Sequence, residues 1–225
     1  MDVVVNAATS VDGKLSTRRR QQLRISGETD FDRVDRLRAA ADAVMVGVGT
    51  VLADDPHLTL DDDDRRVHRL RTGRSGNPAR VVADSRGRTP LDARVLDDAA
   101  ETHLLVTDAA SESRREALDG VGEHVSVHVV GTDESGHADL ADGLSALESA
   151  GVDRLMVEGG GELIASLFGA ELVDELSVYV GSLVVGGRDA PTLVDGDGFV
   201  ESFPRLDLRD VERLDDGVVL WYDVV

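Results

Sequence analysis

The sequence predicts an α/β protein with a mainly parallel central sheet, an antiparallel hairpin at its C-terminal edge and flanking helices. Three observations support this fold class. Short, uninterrupted apolar runs such as Ala43–Gly47 are typical of strands buried on both faces. Stretches with helical periodicity alternate with these runs through the middle of the chain. Two strand-like runs flank Asp215–Gly217 near the C-terminus, which is the pattern of a hairpin.

The strands are justified by apolar composition and by the turn residues that bound them. The first run opens the chain, and the run that begins at Arg154 ends in three glycines. The predicted strands are Val3–Val5, Ala43–Gly47, Ala79–Ala83, His103–Thr107, Val125–Val130, Arg154–Val157, Glu175–Val180, Leu206–Leu214 and Val218–Val224.

The helices are justified by apolar residues that recur at spacings of three and four. Phe31, Val34 and Leu37 recur in this way, with charged residues between them. The stretch Leu60–Asn77 is charged and has no apolar period, so a loop is predicted there. No linker or repeat interrupts the pattern, and residues 1–225 are therefore predicted to form one domain. The predicted helices are Thr29–Ala41, Ser111–Leu118, Leu140–Ala150 and Glu162–Phe168.

Composition limits the classes of function. With 41% hydrophobic residues among 225, the chain is expected to fold around a sizeable core. The formal net charge of −20 argues against binding to nucleic acid or to anionic membrane surfaces. No apolar run is long enough for a transmembrane helix. Residues Met1–Asn6 lack a basic region and a cleavage site, so a cytoplasmic protein without a signal peptide is predicted.

Metal and disulfide chemistry are also constrained by the sequence. Cysteine is absent, which excludes disulfides and cysteine-ligated zinc or iron–sulfur sites. The six histidines are scattered along the chain. Only His124 and His128 lie four residues apart, and they fall in a segment that alternates like a strand. No metal site is therefore predicted.

The distribution of charge indicates the environment of the protein more than its activity. Lys14 is the only lysine, every other cationic side chain is arginine, and acidic runs such as Asp61–Asp64 are typical of solvated surface. Repulsion within so acidic a chain is screened in molar salt, where the Debye length is about 3 Å. A halophilic protein is therefore predicted.

The most informative motif is the run of three glycines between a strand-like and a helix-like segment. Such a helix start presents unpaired backbone N–H groups and the positive end of the helix dipole, which favour an anion. Glycine also lets the backbone approach a ligand closely. The spacing matches neither the dinucleotide fingerprint nor the P-loop. We predict a phosphate-binding turn at Gly159, Gly160 and Gly161; the alternative is a flexible turn that binds nothing.

Polar segments also follow other predicted strands, at the edge of the sheet where α/β proteins bind ligands. Asn6–Lys14, Gly47–Pro56 and Asp84–Arg88 each come after an apolar run. In the second segment, Asp54 or Asp55 could cap a helix, bind a hydroxyl group or move a proton. For each segment, an ordinary polar turn is the alternative.

Arginines supply candidate phosphate ligands in this acidic chain. Ser85 and the arginines that follow it could bind a ribose 2′-phosphate. Arg18–Arg20, Arg24 and Arg38 could accept a second phosphate. For Arg18–Arg20, a solvated face is the default interpretation.

Several stretches, in this order along the chain, carry a resemblance to a known family. They are Val4–Lys14, Leu37–Ala39, Gly47–Pro56, Leu58–Thr59, Val82–Ser85, Val157–Gly161 and Leu172–Val180. They resemble the pyrimidine reductases of riboflavin biosynthesis. The resemblance implies a dihydrofolate-reductase-like fold, NADPH as cofactor and a homodimer. It also implies reduction of a ribosylamino-pyrimidine 5′-phosphate to its ribityl form, by hydride transfer to C1′ of the ring-opened Schiff base.

The bacterial members commonly carry a zinc deaminase in front of the reductase, and such a deaminase needs cysteine ligands. This chain has no cysteine and no room before Val3, so we expect a stand-alone reductase of the archaeal and fungal type. It would be similar to the C-terminal reductase domain of the bacterial bifunctional enzymes. The implied substrate is 2,5-diamino-6-ribosylamino-4(3H)-pyrimidinone 5′-phosphate. The alternatives are the deaminated pyrimidinedione, a folate or pterin, or a non-catalytic NADP-sensing module.

Site residues are assigned from the resemblance by position. The cofactor would contact Ala8, Thr50, Asp54, Ser85 and the glycine turn. The substrate would contact Gln22, Arg24, Arg38, Leu58 and Glu158. Asp54 and Glu158 are the candidate catalytic carboxyls, and either would need a raised pKa or a relaying water to deliver a proton. Asp61 stands where bacterial relatives have an arginine, which leaves the second cation for the substrate phosphate unassigned.

Overall fold

The computed structural model describes residues 1–21 and 23–225, so the predicted substrate residue Gln22 lies outside the described residues. The strands are β1 (Asp2–Ser10), β2 (Ala43–Gly47), β3 (Ala79–Ala83), β4 (Thr102–Val106), β5 (Val125–Val129), β6 (Arg154–Gly159), β7 (Glu175–Gly181), β8 (Leu206–Leu214) and β9 (Gly217–Val224). The helices are α1 (Glu28–Ala40), α2 (Val48–Asp54), α3 (Asp63–Arg71), α4 (Glu112–Asp119), α5 (Leu140–Ser149) and α6 (Gly161–Gly169). Among the described residues, no helix is long and apolar enough to cross a membrane.

The first of two compact units comprises Met1 and residues 35–156. Its parallel strands follow the order β5-β4-β3-β2. Fully buried side chains from these strands, such as Val46, Val82 and Leu104, form a core with residues of α2. The register places Gly47 opposite Ala83, so β2 and β3 end side by side. The loops after both strands therefore leave the same edge of the sheet.

The second unit comprises residues 2–34 and 157–225. Strands β1 and β7 are parallel, and β7, β9 and β8 continue as antiparallel neighbours. Ser10 lies opposite Gly181, so β1 and β7 also end together. A two-residue turn, in which Asp215 has a φ of 51°, joins the hairpin strands β8 and β9. Strand β6 contributes residues to both units. The predicted fold class, mainly parallel with an antiparallel C-terminal hairpin, is confirmed.

Elements with a strong local pattern have nearly their predicted bounds. Strands β2 and β3 match the prediction, and α1 is shifted by a single residue at each end. Helix α4 begins after Ser111, whose side chain accepts a hydrogen bond from the Arg114 N–H. The first strand is longer than predicted and continues to Ser10. Its polar residues Asn6 and Thr9 are buried, which an apolar-run criterion cannot detect.

The prediction of a loop over Leu60–Asn77 is wrong, because α3 occupies Asp63–Arg71. The helix begins where the Asp62 carboxylate accepts hydrogen bonds from two backbone N–H groups. Its buried anchor is Arg69, which is only 3% exposed. The Arg69 guanidinium donates to backbone carbonyls instead of packing as an apolar side chain would. A helix held by an arginine has no apolar periodicity, which explains the error.

Helix α2 is also absent from the pattern-based prediction. It spans only Val48–Asp54, which is too short for a repeating apolar pattern. Val48 and Val51 are buried and attach the helix to the core of the first unit. The segment predicted to carry site residues after β2 is therefore a short helix packed on this core.

Candidate active site

The glycine turn has the predicted strand–turn–helix structure. Strand β6 ends at Gly159, α6 begins at Gly161, and Gly160 between them has a φ of 97°. Few residues other than glycine adopt such a value. No side chain caps the start of α6. Its first backbone N–H groups therefore remain suited to an anionic ligand.

Gly161 is required for a different reason from Gly160. A Cβ atom at residue 161 would lie 2.6 Å from Oδ2 of Asp195 and closer still to the carbonyl oxygen of Thr192. The Asp195 N–H donates to the Gly161 carbonyl at 3.1 Å, which holds the two segments together. The third glycine thus makes room for residues 192–195, and this use of glycine is not visible in the motif.

Ala8 and Glu158 lie on strands of the second unit. Ala8 is a partly buried residue of β1 and lies opposite Tyr179 of β7. Glu158 is the penultimate residue of β6 and is also partly buried. Asn6, two residues before Ala8 in β1, is 5% exposed, and its Oδ1 has no hydrogen-bond partner among the described residues. Asn6 is therefore an additional candidate site residue, which is not among those assigned from the resemblance. The signal in the sequence is a polar residue within an apolar strand.

Thr50 and Asp54 lie four residues apart on α2 and therefore share one face of the helix. Partial burial raises the pKa of the Asp54 carboxyl, although much of that side chain remains exposed. The neighbouring Asp55 is engaged elsewhere, because its Oδ1 accepts the Arg94 N–H at 2.8 Å. Of the two adjacent carboxyls, Asp55 is therefore held by a backbone contact of its own, and Asp54 is the one whose pKa burial raises.

Ser85 begins the loop that follows β3, and its hydroxyl oxygen accepts the Ala138 N–H at 2.8 Å. A hydroxyl that accepts one bond still has its own proton to donate, for instance to a phosphate oxygen. Arg86 and Arg88 are exposed. Arg114 instead fixes the loop by donating to the carbonyl oxygens of Gly87 and Thr89.

Asp84 stabilises the same loop from within. It is fully buried, and its Oδ2 accepts the backbone N–H and the hydroxyl of Thr89, both at 2.7 Å. Its Oδ1 has no partner among the described residues. Because Gly47 and Ala83 are paired in the sheet, this loop and the start of α2 leave the sheet at the same edge.

Arg38 and Leu58, the two predicted substrate residues of the first unit, lie close to each other. The Arg38 guanidinium donates to the carbonyl oxygen of Thr59 at 3.0 Å. Leu58, the preceding residue, is 2% exposed and packs in the core. Its φ of 57° is unusual for a leucine and marks local strain. Any contact of Leu58 with a ligand would therefore fall to its backbone.

Asp61 is part of a turn organised by Asp35. The buried Asp35 carboxylate accepts the Asp61 N–H at 2.7 Å and pairs with Arg65 at 2.7 Å. Arg24, in the second unit, is exposed and lies over the ring of Phe31 at 5.4 Å. Among the described residues, no group of three or more His, Cys, Asp or Glu side chains could hold a metal ion.

Comparison with known proteins identifies the family. The model of the RibD C-terminal domain family matches residues 2–220. This chain belongs to the RibD C-terminal domain family. A 2,5-diamino-6-ribosylamino-4(3H)-pyrimidinone 5′-phosphate reductase from Archaeoglobus fulgidus is 47% identical over 96% of this chain and 94% of its own. The reductase of the same name from Methanothermobacter thermautotrophicus is 42% identical over 99% of this chain and 97% of its own.

A solved structure extends the comparison to the fold. The diaminohydroxyphosphoribosylaminopyrimidine deaminase/5-amino-6-(5-phosphoribosylamino)uracil reductase of Thermotoga maritima superposes with a TM-score of 0.78 at 22% identity. The match covers all of this RibD-family chain and 56% of that protein. The chain is thus a reductase with the fold of its family, and membership implies a nicotinamide cofactor.

Proposed function

We propose that residues 1–225 act as one reductase domain that converts 2,5-diamino-6-ribosylamino-4(3H)-pyrimidinone 5′-phosphate to its ribityl form in riboflavin biosynthesis. The observation that carries the proposal is the near full-length similarity to two archaeal reductases named for this substrate. The glycine turn and the polar loops at the strand ends of each unit support it, because they provide anion-binding backbone and a carboxyl with a raised pKa.

We propose NADPH as the nicotinamide cofactor, which would supply the hydride delivered to C1′ of the ring-opened substrate. The residues fit such a group, because Gly160 leaves the start of α6 without a side-chain cap and Ser85 keeps a hydroxyl proton to donate. Arg86 and Arg88 are exposed cations beside Ser85, suited to a 2′-phosphate. Ser85→Asp should therefore raise the Kd for NADPH much more than the Kd for NADH.

Protonation of the substrate nitrogen is assigned to Asp54 or Glu158. Alignment of the reacting carbons should supply most of the rate enhancement, so the acid has a supporting role. Partial burial raises the pKa of Asp54, which keeps a larger fraction of that carboxyl protonated near neutral pH than for an ordinary aspartate. This favours Asp54 as the donor, and Glu158 would then orient the ribosyl chain.

The decisive experiment measures NADPH oxidation in molar KCl with three substrates. The diaminopyrimidinone phosphate should be the best substrate, as judged by kcat/KM. Faster turnover of the deaminated pyrimidinedione would move the assignment to that compound, and turnover of dihydrofolate would move it to folate chemistry. Tight NADPH binding without oxidation on any pyrimidine would favour an NADP-sensing module.

We propose a homodimer that forms through an apolar sheet face in the second unit. Cross-strand partners place Leu208 beside Tyr222, and Val211 beside Leu220. Leu208 and Val211 are 56% and 53% exposed. The opposite face of β8 carries acidic residues, and the chain has a net charge of −20. Two copies can therefore meet at this face, where β8 carries no acidic residue, with less repulsion than elsewhere.

Sedimentation in molar KCl tests the dimer. The wild type should sediment as a dimer, and Val211→Glu should give monomers that retain the wild-type circular dichroism spectrum. Glu212→Gln, on the adjacent residue of the same strand, is the matched control and should remain dimeric. A monomeric wild type would contradict the proposal.

We also propose adaptation to molar salt, which the acidic composition and the near absence of lysine support. The cytoplasmic location stays a prediction from the sequence.

A further inference from the structure

The turn after β1 and the segment after β7 are joined by an aspartate that the proposed chemistry does not use. Asp12 Oδ1 accepts the Val185 N–H at 3.0 Å, and Oδ2 accepts the Gly186 N–H at 2.7 Å. Asp12 Oδ1 also accepts the Ser10 hydroxyl at 2.6 Å. These bonds lower the pKa of Asp12 to about 2, with the Ser10 bond as the largest cause. The carboxylate is therefore ionised at neutral pH.

The same turn carries the only lysine of the chain. The Lys14 N–H donates to the Ser10 hydroxyl oxygen at 3.0 Å, so Lys14 is held through the residue that donates to Asp12. The Lys14 ammonium donates to the Ala190 carbonyl at 3.1 Å. Lys14 also forms an isolated antiparallel bridge with Thr192. The backbone and the ammonium group of Lys14 thus both contact the segment that Asp12 holds.

That segment continues to the glycine turn. Thr192 donates its N–H to Asp195 Oδ1 at 2.9 Å, and the Asp195 N–H donates to the Gly161 carbonyl. Residues 185–195 are therefore fastened at one end by Asp12 and at the other by the first residue of α6. The contacts of Lys14 with Ala190 and of Gly161 with Asp195 therefore belong to the segment whose other end Asp12 holds.

We infer that Asp12 is a positioning residue for the proposed reaction, which sets the place of the Lys14 ammonium and of the glycine turn through residues 185–195. The inference rests on the proposed function for its effect on turnover, but the geometry predicts an effect on Lys14 that can be measured without turnover. Because Lys14 is the only lysine, an amine-reactive reagent can modify only its side chain and the N-terminus.

The test compares Asp12→Ala, Asp12→Asn and Asp133→Ala. Asp133 is the matched control, since it is a partly buried aspartate of the first unit whose Oδ1 also accepts two backbone N–H groups, from Ser135 at 2.9 Å and His137 at 2.8 Å. Trinitrobenzenesulfonate labelling in molar KCl, with peptide mass spectrometry to separate Lys14 from the N-terminus, reports on the ammonium. NADPH oxidation gives kcat and KM.

Asp12→Ala should increase the Lys14 labelling rate at least fivefold and lower kcat/KM at least tenfold, with the melting temperature close to that of the wild type. Asp12→Asn should give smaller effects of the same kind, because its amide nitrogen cannot accept the Gly186 N–H. Asp133→Ala should leave both quantities within twofold.

Wild-type labelling and wild-type kinetics in Asp12→Ala would overturn the inference. If Asp12→Ala does not fold, the same comparison is made with Asp12→Asn, and unchanged labelling there would also overturn it. A wild type that oxidises no NADPH would refute the proposed function alone, since the labelling comparison would still test the effect of Asp12 on Lys14.

Discussion

Gly161→Ala tests whether the third glycine is required by packing. A Cβ at this position would meet Oδ2 of Asp195 at 2.6 Å and would contact the carbonyl of Thr192. Real Cβ contacts are longer, so residues 192–195 must move. One of the obstructing groups is backbone, which cannot rotate away as a side chain can.

The magnitude follows from overpacking. Inserting a methyl group into a close-packed site costs about 1–3 kcal/mol. The gain in helix propensity from glycine to alanine opposes this by at most about 1 kcal/mol. A change of 1 kcal/mol shifts the melting temperature of a domain of this size by about 2–4 °C. The net cost is therefore up to about 2 kcal/mol, and Gly161→Ala should lower the melting temperature by up to roughly 8 °C.

Gly169→Ala is the matched control, because Gly169 belongs to the same helix and an added Cβ there would meet nothing within 4 Å. It should melt at or slightly above the wild-type temperature. Both variants are measured by thermal denaturation in molar KCl, with the NADPH Kd as a second readout. If Gly161→Ala melts as high as Gly169→Ala, the packing explanation is refuted.

Three further predictions concern other parts of the chain. Arg69→Ala should lower the free energy of unfolding by about 3 kcal/mol or more in denaturant titration, because it leaves buried carbonyls unpaired, whereas exposed Arg71→Ala should change it little. Asp54→Asn should lower kcat about a hundredfold or more, because Asp54 is the proposed acid. A loss of that size in Glu158→Gln instead would make Glu158 the acid. The raised pKa means that ionised Asp54 disfavours the folded state, so Asp54→Asn should raise the melting temperature at pH 7 but not below pH 3.8. The wild type should melt at a lower temperature in dilute buffer than in molar KCl, and equal melting temperatures would contradict adaptation to salt.

Much of the fold could be predicted because strong local patterns coincide with the elements. The valine-containing runs Ala43–Gly47 and Ala79–Ala83 are short and predict strands, and the turn residues at Asp215 predict a hairpin. Helix α3 could not be predicted, because Arg69 anchors it by hydrogen bonds to carbonyls distant in sequence. Periodicity detects apolar burial and is insensitive to a buried guanidinium.

The candidate site divides in the same way. The glycine turn could be predicted from sequence, since a positive φ at Gly160 is a local requirement. The contact of Asp55 could not, because its partner is the N–H of Arg94, which is remote in sequence. The role of Asp12 could not be predicted either, because its partners Val185 and Gly186 are remote in sequence.

The sequence by itself determined the fold class, the strand–turn–helix around Gly160 and the ordered segments that place the chain in its family. These depend on local conformational preference and on the order of residues along the chain. Only the tertiary structure decided why residue 161 must be glycine, which carboxyl has a raised pKa and what holds Lys14. Those properties arise from groups far apart in sequence, since burial and hydrogen bonding are set by neighbours in space.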